Sequence, residues 1–179
     1  MKKGFTLTEL IVVVAVISLL SVVTMPRLMR ATDSAKAAQV QGNISDLKRS
    51  INMYHDKTGE YPDIKQRNSS ALDTIDTDGV HFTDFYSKHK LPETPAFINS
   101  KGEVVEATNK VTHGAITDGE VVGFTGEGGW LLISDWDSDS SANKGTNSFK
   151  GQTMDIYANV ISINDEEDPF GQNINWSRL

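Results

Sequence analysis

An uncharged apolar run near the N-terminus decides most of what this chain can become. From Leu10 to Pro26 no residue carries a charge. Phe5 to Met25 spans about 31 Å as an α-helix, enough to cross the hydrocarbon core of a bilayer. Met1-Lys2-Lys3 precedes it, so the positive-inside rule starts the N-terminus on the cytoplasmic side. An ordinary signal peptide is a poor match. No small-x-small cleavage site follows the run, and Glu9 sits among apolar residues, where a carboxylate disfavours insertion by roughly 2–3 kcal/mol. A plain membrane anchor fits the length but leaves Glu9 unexplained unless the helix begins at the interface. Thr6-Leu7-Thr8-Glu9 does have the spacing of a capping box, and an acid in the first turn suits the helix dipole.

The helical pattern continues past the apolar run. Pro26 removes one backbone hydrogen bond, so a kink is expected there. Leu28, Ala31, Ala35, Ala38 and Gly42 form a seam of mostly small residues. Val40, Ile44, Leu47, Ile51 and Tyr54 form a larger stripe suited to covering a sheet. Gly59 is the expected left-handed C-cap, and Pro62 blocks continuation. A helix from Phe5 to about Tyr54 would be about 75 Å long.

Charge divides at the same place. Residues 1–59 hold eight basic and four acidic groups, and the remaining residues hold nine and twenty, which gives +4 and −11 within a net charge of −7. A basic, membrane-seeking stalk is thus joined to an acidic, water-facing head. The acidic balance argues against a nucleic-acid binder that works by overall charge. With no cysteine, disulfides, thiolate metal sites and cysteine nucleophiles are excluded. In the head, strands are expected at Val104–Ala107, Glu120–Phe124, Gly129–Ser134 and Met154–Ile163. The middle pair is expected to form a hairpin across Thr125-Gly126-Glu127-Gly128. Short helices are expected near Ala71 and over Thr83–Leu91.

Lys3-Gly4-Phe5-Thr6-Leu7-Thr8-Glu9-Leu10-Ile11, followed by the apolar helix, resembles the leader and N-terminal helix of type IV pilins and type II secretion pseudopilins. The resemblance covers roughly the first 60 residues, and Gly59-Glu60-Tyr61-Pro62 is similar to the junction that follows in that family. It implies an α+β fold, with a long N-terminal helix, transmembrane in its first half, packed on a small antiparallel β-sheet. It implies three regions: a leader 1–4, a stalk helix 5–57 with its membrane and assembly segment at 5–26, and a periplasmic or extracellular head 58–179. A prepilin peptidase would cut between Gly4 and Phe5, and the new Phe5 amine would be N-methylated. Glu9 would serve assembly, and Pro26 would mark a bend or local unwinding in the filament. The implied protein is not an enzyme. It is a subunit of a homo-oligomeric or mixed filament, stored in the bacterial inner membrane and assembled on a platform there, with no need for nucleic acid. Within the class a surface pilus competes with a pseudopilus. A tethered extracellular binding or hydrolytic domain is the alternative from another class.

The physical case for Glu9 stands on its own. A carboxylate in a low-dielectric bundle is costly unless paired, and cleavage ahead of Phe5 creates the cation that can pair with it on a sliding neighbour. The rest of the chain carries weaker signals. Asp135, Asp137 and Asp139 alternate in a loop, as calcium-binding carboxylates can. The EF-hand pattern fails, with Ser140 at the glycine position and Thr146 at the terminal glutamate position, so a solvated acidic turn is the competing reading. Asp165-Glu166-Glu167-Asp168-Pro169-Phe170-Gly171 is a second acidic loop and resembles a segment of pseudopilins, some of which bind calcium. His55, His81, His89 and His113 have no metal-ligand spacing. Trp130, Trp136 and Trp176 read as core or loop anchors, and Gly123–Gly129 as a turn rather than a phosphate cradle. The cysteine-closed loop of many pilins is absent, so packing, hydrogen bonds or a metal must hold the corresponding region.

Overall fold

The computed structural model describes residues 5–62, 64, 80–87, 90–136, 149–161, 168–172 and 174–176. Leu7–Thr58 is a single 52-residue α-helix, α1, about 78 Å long. Its end follows from Gly59, which takes φ 81° and donates its N–H to the His55 carbonyl at 2.7 Å. That left-handed backbone suits a residue without Cβ. Ala37, Val40, Ile44, Leu47, Ile51 and Tyr54 recur at alternating steps of three and four and are buried. The small seam of Ala31, Ala35, Ala38 and Gly42 is exposed.

Among the described residues the head contains two sheets. Strands β1 (Phe97–Ile98) and β2 (Val104–Val105) form an antiparallel ribbon. Strands β3 (Val111–Thr117), β4 (Glu120–Val122), β5 (Trp130–Trp136) and β6 (Phe149–Ala158) form a four-stranded sheet in the order β4-β3-β5-β6. The β3–β4 and β5–β6 pairs are antiparallel and β3–β5 is parallel. The overall layout is α+β, a long apolar helix packed on small sheets, with β6 as the strand of the larger sheet that α1 contacts. Val111, Trp130, Leu132, Ile156 and Ala158 join the buried stripe of α1 in the main core. Leu131, Ile133, Tyr157 and Phe124 form a second cluster, built from the alternate residues of β5 and β6.

The expected hairpin between Glu120–Phe124 and Gly129–Ser134 does not form. Asp118 (φ 54°) and Gly119 (φ 84°) instead make a two-residue turn that folds β4 back on β3. The chain then crosses the outer side of the sheet. A Cβ on Gly123 would lie 2.8 Å from the Gly114 Cα, and one on Gly114 would lie 2.4 Å from the Val122 carbonyl oxygen. This close crossing delivers β5 to the far side of β3, parallel to it, so the sheet is mixed rather than wholly antiparallel. β6 begins at Phe149 and ends at Ala158, earlier at both ends than expected. The helix expected over Thr83–Leu91 is reduced to a 3-10 turn, Phe82–Asp84, and the one near Ala71 lies outside the described residues.

Buried and half-buried polar side chains hold the loops where disulfides are absent. Asn159 is fully buried. Its Oδ1 accepts from the N–H groups of Thr125 (2.8 Å) and Gly126 (3.3 Å), and its Nδ2 donates to the hydroxyls of Thr112 and Thr125. The Thr94 hydroxyl accepts from the Gly129 N–H at 2.7 Å. The glycine-rich segment is therefore a turn locked by its own chain, as its sequence suggested. Asp168 accepts from the backbone N–H groups of Phe170, Gln172 and Ile174 and from the Trp176 indole. Trp130 and Trp176 are buried core anchors.

Two outcomes follow. A Cβ on Gly129, where φ is 77°, would meet the Lys110 carbonyl oxygen at 2.2 Å. Gly129→Ala should lower unfolding stability by about 2–4 kcal/mol in urea titration of the full chain in detergent. Burial first, and the Asp46 carboxylate second, push the Tyr86 hydroxyl up from 10.0 to about 12. The Tyr157 hydroxyl is also raised, by burial first and then by its 2.6 Å hydrogen bond to Asp155 and that residue's charge. Because both folded-state values lie above the unfolded one, their contribution is complete below about pH 10 and is lost as pH rises through the folded values. Urea midpoints should hold level with respect to these groups up to about pH 10 and fall between roughly pH 10 and 12. Midpoints unchanged across that interval would contradict the assignment.

Candidate functional site

The candidate functional segment is the part of α1 that the described head residues do not cover. Every described residue from Phe5 to Thr32 is exposed. Phe5 is 83% exposed, and Leu10, Ile17, Leu20 and Val22 are similarly bare. A helix of this length and hydropathy is able to cross a membrane. The polar side chains within it are folded back on the backbone. Ser18 donates to the Val14 carbonyl, Ser21 to Ile17 and Thr24 to Leu20, at 2.8–3.0 Å. Each hydroxyl proton is satisfied within the rod, as an apolar solvent requires.

Glu9 is the sole charge between Phe5 and Pro26, and the structure places it in the first turn of α1. Thr6 is extended (φ −84°, ψ 153°) and its hydroxyl accepts from the Glu9 N–H at 3.3 Å. The Thr6 N–H and hydroxyl both donate to Glu9 Oε2 at 2.8 Å. This is the capping box that the spacing of Thr6 and Glu9 foretold. Both bonds fall on one carboxylate oxygen. Among the described residues nothing donates to the other, Oε1, which has lone pairs able to accept from a donor outside the helix. Phe5 adjoins this cap, so an amine created there would lie beside a carboxylate already held in place. Gly4, on the other side of the expected cut, lies outside the described residues.

Pro26 lies inside α1 and does not end it. The proline has no N–H for the Val22 carbonyl, so one rung of the ladder is missing. Helix continues on both sides because the turns above and below keep their own bonds. The free chain therefore carries a weakened rung rather than a break.

Most of the other candidate groups lie outside the described residues. Asp137 and Asp139 lie outside the described residues, as does the side chain of Asp135. Asp165, Glu166 and Glu167 also lie outside, whereas Asp168 is engaged by the four N–H donors given above. Among the described residues no group of three or more His, Asp or Glu side chains is gathered as a metal site would need. One cross-element contact escaped sequence reasoning. Lys48 of α1 reaches Asp155 of β6 at 2.8 Å and lies 4.6 Å from the centre of the Tyr157 ring. No spacing in the sequence signals it.

Comparison with known proteins agrees with this geometry. Residues 1–25 match the family described as the prokaryotic N-terminal methylation motif. The chain is 32% identical over 65 residues to the type II secretion system core protein G of Pseudomonas aeruginosa, a match covering 36% of this chain and 46% of that protein. The chain thus spans about half the length of the curated relative it matches. No solved structure matches it. The chain carries a prepilin-type N-terminal segment, and its similarity to a type II secretion core protein runs over 65 residues.

Replacing Pro26 with alanine restores the missing donor. Pro26→Ala should raise helix content in detergent micelles and stabilise the stalk by about 3 kcal/mol. Circular dichroism that is unchanged in micelles would show that Pro26 weakens nothing.

Proposed function

We propose that this chain is a structural subunit of a type IV pilus-like filament, cut by a prepilin peptidase between Gly4 and Phe5, N-methylated on Phe5, stored in the bacterial inner membrane and assembled there. The observation that carries the reading is the bare apolar rod with one acid at its start. Each large aliphatic side chain from Phe5 to Met25 contributes about 1.5–3 kcal/mol when taken out of water, tens of kcal/mol in all. A rod of this kind needs lipid or sister rods around it.

Cleavage adds a cation at Phe5, and that amine can donate to the open Oε1 of a neighbour's Glu9. Pairing neutralises both charges inside the bundle and sets the axial step between subunits. Pro26 supplies the point where the stalk yields when it leaves the bilayer. The acidic head faces water, outside the membrane, and carries whatever recognition the filament has. The similarity to a type II secretion core protein favours a pseudopilus over a surface pilus.

Mass spectrometry of the mature protein tests the reading. A chain beginning at methylated Phe5 is expected. An intact Met1, or a cut beyond Pro26, would instead indicate a tethered domain or a secreted one. Glu9→Ala should leave processing intact and reduce filament yield at least tenfold, measured by sedimentation of sheared filaments. A normal yield from that variant would refute the pairing.

A further inference from the structure

The charges of this chain are separated in space as well as in sequence. Between Pro26 and Ala37, the first buried residue, the stalk carries Arg27, Arg30 and Lys36 against Asp33. Arg27 and Arg30 are exposed and lie one turn apart on one face, with Ser34 a further turn along. No ion pair among the described residues engages them: the pairs join Lys48 to Asp155, Lys90 to Glu93 and Lys110 to Glu127.

A complementary surface lies at the far edge of the sheet. The β3–β4 turn carries Asp118 and Glu120, both exposed and neither in an ion pair among the described residues. The positive φ values of Asp118 and Gly119 fix the turn in a tight two-residue form. Beside it, Ile116 stands 61% exposed, opposite Val121. β4 is the edge strand remote from β6, the strand against α1. Three strand spacings, about 14 Å, therefore separate it from the strand that packs on its own stalk.

We propose that the β3–β4 hairpin of one copy docks on the Arg27–Arg30 face of another copy of this chain. Asp118 and Glu120 meet the two guanidiniums, and Ile116 lies along their methylene stems. The occupant is a second copy because its charge is complementary and because this face continues the rod that the filament reading, on which the inference rests, buries against sister rods. The contact joins a head to a stalk and so adds a second grip to the Phe5–Glu9 step.

The test uses the absence of native cysteine. Ser34→Cys and Thr117→Cys, both at exposed positions, are placed together in the full chain in its own envelope, leaving every charge intact. Oxidation should give a ladder of disulfide-linked multimers in filaments that sediment normally. Filaments without a ladder would overturn the contact and leave the filament reading standing. Failure of the unaltered chain to form filaments would overturn both. Arg27→Glu with Arg30→Glu should lower filament yield about tenfold, and adding Asp118→Lys with Glu120→Lys should restore it. A yield that stays low, with the double-arginine variant shed from vesicles of anionic phospholipid, would assign the arginines to lipid headgroups and overturn the contact.

Discussion

The whole arrangement depends on an apolar rod that its own chain cannot cover. α1 is one helix placed in two solvents. From Ala37 to Tyr54 its stripe is sealed by the sheet and by Phe82, while the part before Ala37 is bare. No rearrangement of the head is able to cover this length, because the bare stretch of about 45 Å exceeds the reach of a small domain folded around the other half. The hydrophobic effect therefore requires other apolar matter around it, which on the proposed reading is lipid at first and sister rods after assembly. On that reading, folding and assembly are two parts of one burial.

The head, acidic in sequence, must hold its loops without covalent staples. It does so with buried and half-buried polar side chains that accept or donate several bonds each. Asn159 serves four groups around the glycine turn, and Asp168 gathers four N–H donors from the C-terminal loop. Such groups are stabilising only when fully satisfied, because an unmet buried amide or carboxylate costs more than the bonds return. Glycines permit the close chain crossing, and aromatic edges, such as Phe170 against Trp176 and Phe97, pack within the main core. Lys48 then ties helix to sheet across β6.

The stalk was legible in the sequence because its signals are local. A capping pair three residues apart, a stripe at steps of three and four, and a glycine after the last turn are each decided by neighbours along one helix. The sheet was less legible for the converse reason. The partner of β5 was set by a crossing at Gly114 and Gly123, where the deciding fact is the space between distant chain segments. Asp118-Gly119 was a readable hairpin signal, flanked by residues of high strand propensity, and it was overshadowed by the longer glycine run that follows. Asn159 and Lys48 gave no signal, since a long-range hydrogen bond leaves no period in the sequence. At the N-terminal site the residue types were readable, whereas the placement of both Thr6 bonds on a single oxygen of Glu9 needed coordinates.

That last detail bears on how a charge survives in the bundle. A bare carboxylate would have to be dragged through hydrocarbon at a cost of several kcal/mol. Glu9 is never bare, because its Oε2 is already held by the N–H and hydroxyl of Thr6. The cap satisfies one oxygen of the carboxylate and engages no described donor at Oε1. On the proposed filament reading, a neighbour's amine would have only to complete a partly satisfied acceptor, without first dismantling the helix terminus. Capping and pairing thus act on the same residue without competing, and the acid that begins the helix is also fit to position the next subunit.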